Sequence, residues 1–487
     1  MEKNIPAVSP ESVGIPSQAV TDMIEELEKN HVPMHSLMLA RHNKLVTSAF
    51  WRPFGPGQLH RMFSVSKSFV SIAVGWLEED GLIRLDDPIA QYFPEYLPEN
   101  ADQWLKAMTI RDMLAMQTCH TATTYKIHPD QNWVESFFVT PPSHCPGTTF
   151  NYDTSSPHTL GALVEKLTRM PVLDYLRSKF LDEIGFSPRA YMICDPFGTS
   201  MGGSGLMAEP LDLMKFALAV LNKGRAEDGQ ILIPEKYLNQ ACSCQSSTQH
   251  VRSTIDEGQG YGYQFWMTRH NGFCCNGMGG QFAIFLPKED IVCVTTADTQ
   301  EVNAGNQTIF NAFFDHILPA LKEMPLAEDK KARDQLEKKI HSLVIRPVNG
   351  KLRTDCDGFL GKTVYRVTEN SKAFQKFFFE FSDSFREGSF HFYRDSSWHV
   401  LHFGLGEVRE DVFPIYDDRC VTSAAWTSED SLYLRCSLIG ESVGTIHLQF
   451  TYKDGWMYLA MRKKEETMFQ EFSGYLSAVA EVKRNAS

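Results

Sequence analysis

One serine-lysine pair at the start of an apolar helix constrains this chain more than any other feature. Ser64 and Lys67 form the one Ser-x-x-Lys in the 487 residues. The residues that follow are apolar at helical spacing, and Asp80-Gly81 supplies a stop, so the pattern predicts a buried helix from about Ser64 to Glu79. Residues three apart share one face of a helix. The hydroxyl and the amine should therefore lie together where the helix begins.

This pairing meets the needs of an acylating serine. A hydroxyl at a helix start lies in the positive field of unpaired backbone N–H groups. An amine that is kept partly dry loses its proton more readily near neutral pH. A serine attacking an ester or amide carbonyl needs such a neighbour to take its proton. A four-residue pattern also arises by chance in long chains, so further signals are required.

Two other segments add such signals. Tyr152 lies between a turn that begins near Cys145 and a capped helix with Pro157 in its first turn. The glycine-rich segment Asn276-Gly277-Met278-Gly279-Gly280-Gln281 leads into an apolar strand, and glycines allow a backbone to approach a ligand closely. Taken separately, each segment also has a structural explanation.

In this order the three segments resemble the serine β-lactamase and penicillin-binding-protein superfamily. The resemblance is to the branch of class C β-lactamases, D,D-peptidases, D-aminopeptidases and β-lactamase-like esterases, and it covers roughly residues 8 to 320. Four further stretches are similar to segments of that branch, in the same order: Leu77 to Pro88, Met108 to Met116, Gly203 to Met207 and Tyr261 to Trp266.

The resemblance implies a role for each group. Ser64 would be the nucleophile, Lys67 its proton acceptor or the electrostatic partner of the base, and Tyr152 the hydroxyl that passes a proton to the leaving group. Which of Lys67 and Tyr152 is the resting base stays open, because such a pair titrates as a unit. The second oxyanion donor, beside the Ser64 N–H, would come from the segment Met278 to Gln281, most plausibly from Gly280 or Gln281, with Gly279 adjacent.

Two departures from the family pattern bear on the substrate. Thr154 stands where the tyrosine motif usually ends in asparagine, so an amide donor to the substrate is lost. Met278 stands where the family has lysine or histidine, and a gap-free count back from Pro287 would place Gly272 to Cys275 there instead. Neither placement supplies a lysine to bind a substrate carboxylate.

We therefore expect an esterase or amidase that cleaves a small molecule or short peptide with a neutral acyl group, through an acyl-enzyme at Ser64. β-Lactamase, D,D-peptidase or D-aminopeptidase activity is the first alternative. A binding or sensor protein that keeps the fold without turnover is an alternative of another class.

Composition limits the partners. The formal charge of −13 and the pI near 5.7 argue against nucleic acid and anionic membranes, both of which reward basic patches. The stretch Met1 to Pro6 lacks the apolar run of a signal peptide, and no stretch is long and apolar enough to span a membrane, so we expect a cytoplasmic protein. The sequence does not indicate the oligomeric state.

No cofactor and no metal are expected. The chain has eleven cysteines. Because this number is odd, we expect free thiols in a reducing compartment. Two groups come closest to a zinc site, but they lack the Cys-x2-Cys or His-x3-His spacing that structural zinc prefers. They are Cys242-Ser243-Cys244 with His250, and Cys274-Cys275 with His270.

The resemblance implies an α+β fold for residues 1–322, an antiparallel sheet flanked by helices with an inserted helical lobe from about residue 70 to 240. Charges alternate at helical spacing from Glu328 to Lys339, which predicts a solvated helical linker over residues 323–349. From 350 to 487, apolar and polar residues alternate between turn signals, which predicts an antiparallel β domain, a barrel or a sandwich.

A long loop from His120 to Pro142 is expected to border the cleft between the two lobes. Its aromatic side chains either bind an apolar acyl group or pack the loop onto the helical lobe, and the sequence favours neither. These side chains are Tyr125, Trp133, Phe137 and Phe138.

Overall fold

The structure is a computed structural model that describes residues 4–250, 254–356, 360–361, 363–369, 372–464 and 472–481. Residues 1–3, at the beginning of the N-terminal stretch discussed above, lie outside the described residues. The chain divides into two compact units, Met1–Leu343 and Val344–Ser487. Within the described ranges, no helix has the length and apolar character needed to cross a membrane.

The first unit contains both helices and strands. Its α-helices are α1 (Ser17–Lys29), α2 (Val65–Glu79), α3 (Gln103–Ala107), α4 (Ile110–Leu114), α5 (Thr124–Ile127), α6 (Trp133–Val139), α7 (Ser155–Thr168), α8 (Val172–Leu176), α9 (Pro210–Leu221), α10 (Glu235–Ala241), α11 (Gly305–Ala312) and α12 (Lys330–Ser342). Its strands are β1 (Met34–Arg41), β2 (Lys44–Phe50), β3 (His60–Arg61), β4 (Tyr191–Met192), β5 (Leu206–Ala208), β6 (Trp266–Thr268), β7 (Gly272–Gly277), β8 (Gln281–Leu286) and β9 (Ile291–Ala297). Two π-helical turns, Arg177–Leu181 and Phe313–Ile317, continue α8 and α11.

Six strands form an antiparallel sheet in the order β2-β1-β9-β8-β7-β6. Both β8 and β9 are buried along their whole length, which requires cover on both faces. On one face Ala283 and Phe285 join the main core together with residues of α2 and α9. On the other face the Phe282 ring lies 4.8 Å from that of Phe310 in α11. The sheet is thus the middle layer between helices.

A second, three-stranded sheet in the order β3-β5-β4 ties the chain before α2 to the helical lobe. Its pairing continues beyond β3, because the Met62 N–H donates to Leu206 O at 2.8 Å. This small sheet brings the residues just before Ser64 next to residues 203 to 206.

The helix predicted as a solvated linker belongs to the first unit. Helix α12 packs on α1, with Leu336 buried and Lys339 paired with Glu28 of α1 at its margin. Its alternating charges describe the outer face, whereas Leu336 supplies an apolar contact. The predicted boundaries at 322 and 349 therefore differ from the division between Leu343 and Val344.

The described part of the second unit contains ten strands. They are β10 (Tyr365–Glu369), β11 (Phe374–Phe381), β12 (Glu387–Arg394), β13 (Ser397–Leu405), β14 (Arg409–Phe413), β15 (Asp418–Trp426), β16 (Ser431–Ile439), β17 (Val443–Lys453), β18 (Trp456–Lys464) and β19 (Gly474–Ala480). Neighbouring strands are antiparallel in the order β13-β12-β11-β10-β19-β18-β17-β16-β15-β14, and a parallel contact of β13 with β15 closes nine of them into a barrel.

The barrel interior is filled by alternate side chains. In β16, Leu432, Leu434 and Cys436 are buried, whereas Tyr433 and Arg435 between them are partly exposed. This is the period of two that the sequence predicted. The predicted α+β class, with an antiparallel β domain at the C-terminal end, is confirmed.

Candidate active site

The site is built around the beginning of α2. Ser64 directly precedes the helix and is half-buried, whereas the apolar face behind it, including Phe69 and Ile72, is fully buried. Phe63 has a φ of 44°, in the left-handed region that side chains other than glycine rarely adopt. The chain reverses sharply at Phe63 and leaves Ser64 at the start of the helix.

The Lys67 side chain returns along the helix to Ser64. Its Nζ donates to Ser64 Oγ at 2.8 Å, to Gly203 O at 2.7 Å and to Thr154 Oγ1 at 3.4 Å. Lys67 is only 1% exposed, so these contacts are made in a dry environment. Hydrogen bonds to a charged donor in such a place are stronger and better aligned than in water. The predicted serine-lysine pair is formed.

Tyr152 approaches from the loop before α7. Lys67 Nζ lies 5.0 Å from the centre of its ring, within the range of a cation–π contact. The ring is supported by Trp266 at 5.3 Å and by Tyr261, edge-on, at 6.2 Å. The predicted triad of Ser64, Lys67 and Tyr152 is therefore brought together by two separate parts of the chain, the beginning of α2 and the loop before α7.

Thr154, the residue in place of the family's asparagine, also faces Lys67. Its backbone N–H donates to Thr123 Oγ1 at 3.1 Å, which joins the long loop to the tyrosine motif. Gly203 lies against it, because a Cβ added at residue 203 would lie 2.4 Å from Thr154 Cγ2. The glycine at residue 203 thus leaves room for the Thr154 side chain beside the Gly203 carbonyl that accepts from Lys67. The sequence placed Gly203 in a family-like stretch but assigned it no role.

Asp153 lies between Tyr152 and Thr154 in the sequence and is 1% exposed. Its Oδ1 accepts from the Ser155 N–H at 2.6 Å and from the Ser155 hydroxyl, and its Oδ2 accepts from the Ser156 N–H at 3.2 Å. Burial raises the pKa of Asp153 to about 6, against the opposing effects of these hydrogen bonds and of the Lys67 charge.

The glycine-rich turn between β7 and β8 contains the residues from which the second oxyanion donor is expected. Gly279 and Gly280 have φ angles of 84° and 91°, and a Cβ on Gly280 would meet Thr299 and Ile309 rather than the site. Gln281 is fully buried. Its side-chain Nε2 donates to Met278 O and Ala297 O, and its Oε1 accepts from the Ala297 N–H. The Gln281 side chain therefore holds the end of the sheet together.

Gly277 is the residue of this segment that packs on the turn before Ser64. A Cβ added there would lie 2.3 Å from Met62 O and 3.3 Å from Val65 Cγ2. Strand β6 pairs with β7 only at residues 272 to 274, so it leaves the Gly277 end beside α2. Sequence reasoning grouped Gly277 with the turn and did not single it out. A glycine that ends an apolar strand was the available signal.

The long loop contains α5 and α6, and most of its aromatic residues are core. Phe137 and Phe138 are buried, and Phe138 packs against Phe93 at 5.3 Å. Tyr125 is buried and stacks on the half-buried Trp133 at 4.1 Å. Packing onto the helical lobe thus accounts for Phe137, Phe138 and Tyr125, and Trp133 keeps a partly exposed face.

The remaining candidates from the sequence are the cysteines and the possible metal ligands. All eleven cysteines are free thiols, and burial raises the pKa of Cys242 and Cys274 well above the usual range. Across the described ranges, no group of three or more His, Cys, Asp or Glu side chains is arranged to hold a metal ion.

Comparison with known proteins agrees with this geometry. The family model described as Beta-lactamase matches residues 20–311, more than half of the chain. The chain belongs to the beta-lactamase family. The family assignment confirms the resemblance drawn from Ser64, Lys67 and Tyr152.

Three similar proteins are distant from this chain in sequence. The 6-aminohexanoate-dimer hydrolase of Paenarthrobacter ureafaciens is 23% identical over 280 residues, which are 53% of this chain and 71% of that protein. A solved putative 6-aminohexanoate-dimer hydrolase from Bacillus anthracis is 18% identical with a TM-score of 0.50, over 64% of this chain and 86% of that one. EstCE1, a hydrolase with promiscuous acyltransferase activity, is 14% identical with a TM-score of 0.51, over 61% and 99%. The two solved structures show a shared fold.

Proposed function

We propose that this beta-lactamase family member is a serine hydrolase that cleaves an ester or amide with an uncharged acyl group. The observation that carries the proposal is the hydrogen bond from the buried Lys67 Nζ to Ser64 Oγ, beside the Tyr152 ring. A nucleophile, a proton acceptor and an orienting phenol within contact of one another are what acyl transfer requires.

In the proposed reaction, Ser64 Oγ attacks the substrate carbonyl carbon while its proton passes to the Lys67 and Tyr152 pair. The negative oxygen that forms is bound by the Ser64 backbone N–H and by a second backbone N–H from the β7 edge near Gly277. The C–O or C–N bond then breaks, and the pair returns the proton to the leaving group. Water adds to the acyl-enzyme by the same path and releases the acid and free Ser64.

The expected substrate class follows from charge. Segment Gly272 to Gln281 contains no lysine, arginine or histidine, so it offers no cation to a substrate carboxylate. The relative from Paenarthrobacter ureafaciens is named for hydrolysis of a 6-aminohexanoate dimer, which agrees with an amide or ester substrate outside the β-lactams. We propose short esters and amides without a carboxylate next to the scissile bond.

The test is covalent labelling followed by a substrate comparison. A fluorophosphonate should label wild type at Ser64 and leave Ser64→Ala unlabelled. Ser66→Ala is the matched control, because the Ser66 hydroxyl serves the fold by donating to Phe63 O at 2.6 Å. Short p-nitrophenyl esters should be cleaved faster than nitrocefin. Rapid nitrocefin opening would favour a β-lactamase, and a wild type that never labels would favour a binding protein.

A further inference from the structure

Asp153 is the one acidic residue of the tyrosine motif, and both of its sequence neighbours touch Lys67. Tyr152 does so through its ring at 5.0 Å and Thr154 through its hydroxyl at 3.4 Å. Because peptide geometry limits how far adjacent residues move apart, whatever fixes Asp153 also fixes these two contacts. Its carboxylate is fixed by the first turn of α7, through the N–H groups of Ser155 and Ser156.

Capping alone does not explain a charged residue here. In the same lobe Asn132 caps α6, where its neutral side chain accepts from the N–H groups of Val134 and Glu135. Asparagine and aspartate cap helices about equally well. A buried carboxylate is less stable than a buried amide unless its charge is used, because ionised groups lose hydration on burial. The charge of Asp153 therefore needs a second explanation.

The Asp153 carboxylate lies near titratable groups from three segments of the chain. Lys67 of α2 acts on it electrostatically, Tyr152 is its neighbour on the loop, and Cys119, after α4, feels its charge. Burial raises the pKa of Cys119 to about 12, so this thiol stays neutral in the physiological range. Of these groups, Lys67 is the one whose charge lowers the pKa of Asp153.

We propose that Asp153 is a positioning residue of the Ser64 site, whose carboxylate holds Tyr152 and Thr154 against Lys67 and, when ionised, strengthens the hold of the pair on the Ser64 proton. This inference rests on the proposed function and deepens it. A nearby negative charge favours the protonated form of an amine or a phenolate. Whichever of the two groups is the resting base, its unprotonated form is therefore a stronger acceptor for the Ser64 proton.

The first experiment needs no turnover. The Tyr152 phenol is titrated by ultraviolet difference spectroscopy, with each protein measured against the same protein carrying Tyr152→Phe. We expect Asp153→Asn to lower the midpoint by about one pH unit, because the phenolate loses a repelling neighbour. Asp153→Ser, which keeps a capping side chain, should lower the Tyr152 midpoint by a similar amount. This second variant keeps the test decisive if Asp153→Asn does not fold.

Asp212→Asn is the matched control. Asp212 is also 1% exposed and also serves a helix start, accepting from the N–H groups of Glu209 and Ser187, but it belongs to α9. Its replacement should leave the Tyr152 midpoint unchanged. An equal midpoint in Asp153→Asn and wild type would overturn the proposal.

The second experiment measures fluorophosphonate labelling of Ser64 from pH 5 to 8. The wild-type rate should fall as the pH drops through about 6, where Asp153 gains a proton. Asp153→Asn should be about tenfold slower at pH 7.5 and lack this limb, with KM for a p-nitrophenyl ester unchanged. A shifted Tyr152 midpoint without any labelling would reject the hydrolase and keep the positioning role. Normal labelling in Asp153→Asn with an unshifted midpoint would reject the positioning role alone.

Discussion

Lys67 shows how one residue joins the chemistry of the site to its architecture. Its acceptors come from three places, namely its own helix, the tyrosine loop through Thr154 and the lobe through Gly203. A buried ammonium without such oxygen partners would be strongly unfavourable. Lys67 therefore requires the surrounding backbone to be assembled before it can serve Ser64.

We predict that Lys67→Ala and Tyr152→Phe slow fluorophosphonate labelling of Ser64 by about a hundredfold or more, because groups that act as a unit fail together. Lys166→Ala is the control, since Lys166 lies on α7 but pairs with Glu95 at 33% side-chain exposure. Labelling at the wild-type rate in either site variant, with circular dichroism unchanged, would contradict the assigned roles.

The stability of the protein should depend on Asp153 in a pH range set by its pKa. Burial raises this pKa to about 6, whereas an unfolded aspartate titrates near 4. Between these values the folded form binds more protons, so its free energy of unfolding falls as the pH rises, by about 3 kcal/mol in all. The Asp153→Asn variant should not show this fall in the free energy of unfolding, because asparagine does not titrate.

Urea unfolding of wild type and Asp153→Asn should therefore converge near pH 4 and diverge by pH 7.5, with the variant gaining stability relative to wild type. Asp212→Asn provides a comparison at another buried cap, where burial also raises the pKa. A difference between wild type and Asp153→Asn that stays constant from pH 4 to 7.5 would contradict the prediction.

Residue identity alone indicated Ser64, Lys67 and Tyr152 as candidate site residues, but not all of their neighbours. Ser64, Lys67 and Tyr152 carry distinctive chemistry and a spacing tied to helices, so the sequence is informative about them. Gly203 contributes a carbonyl to Lys67, and every residue has one. Backbone groups of this kind become visible only when the chain is folded.

Strand β7 illustrates the same limit for an element. The sequence correctly predicted a buried strand after the glycine-rich turn, since β8 begins at Gln281. It did not predict which residue of the preceding strand meets α2, because that depends on the register of β7 against β6 and β8. The contact falls at Gly277, before the expected donor positions Gly280 and Gln281.

We predict that Gly277→Ala pushes the end of β7 away from α2 and slows Ser64 labelling by about tenfold or more, because a Cβ would lie 2.3 Å from Met62 O. Gly258→Ala is the control, since no heavy atom lies within 4 Å of an added Cβ there. Equal labelling rates in the two variants would show that this contact does not shape the site.

Helix α12 shows what a charge pattern indicates, and what it leaves open, at the level of an element. Alternating acids and bases predicted a solvated connection, and most of the helix is indeed exposed. One apolar side chain per few turns, Leu336, is enough to seat it on α1. A helix with so few apolar side chains is difficult to distinguish from a fully solvated helix by sequence alone.

At the scale of the whole molecule, the hydrophobic clusters of the two units follow from two kinds of sequence pattern. Apolar runs at helical spacing mark the first unit, and alternation marks the second. Alternation predicted strands but left barrel and sandwich open, because closure depends on pairing between β13 and β15, far from any local signal.

We predict that Phe450→Ala lowers the free energy of unfolding of the barrel by about 3–5 kcal/mol. Phe450 is fully buried, with the rings of Phe379 and Phe390 at 4.8 and 4.9 Å. Guanidinium unfolding followed by circular dichroism is the measurement. Val412→Ala, at a side chain 48% exposed, should change little. A loss at residue 450 no larger than at 412 would contradict the packing.

The turn at Phe63 has a consequence for timing. An L-residue held at a φ of 44° is tolerated only where the surrounding fold leaves no alternative. In the reaction that we propose, the fold therefore holds Ser64 Oγ in place before an acyl donor arrives. None of the donor's binding energy is then needed to reshape the loop that carries this oxygen.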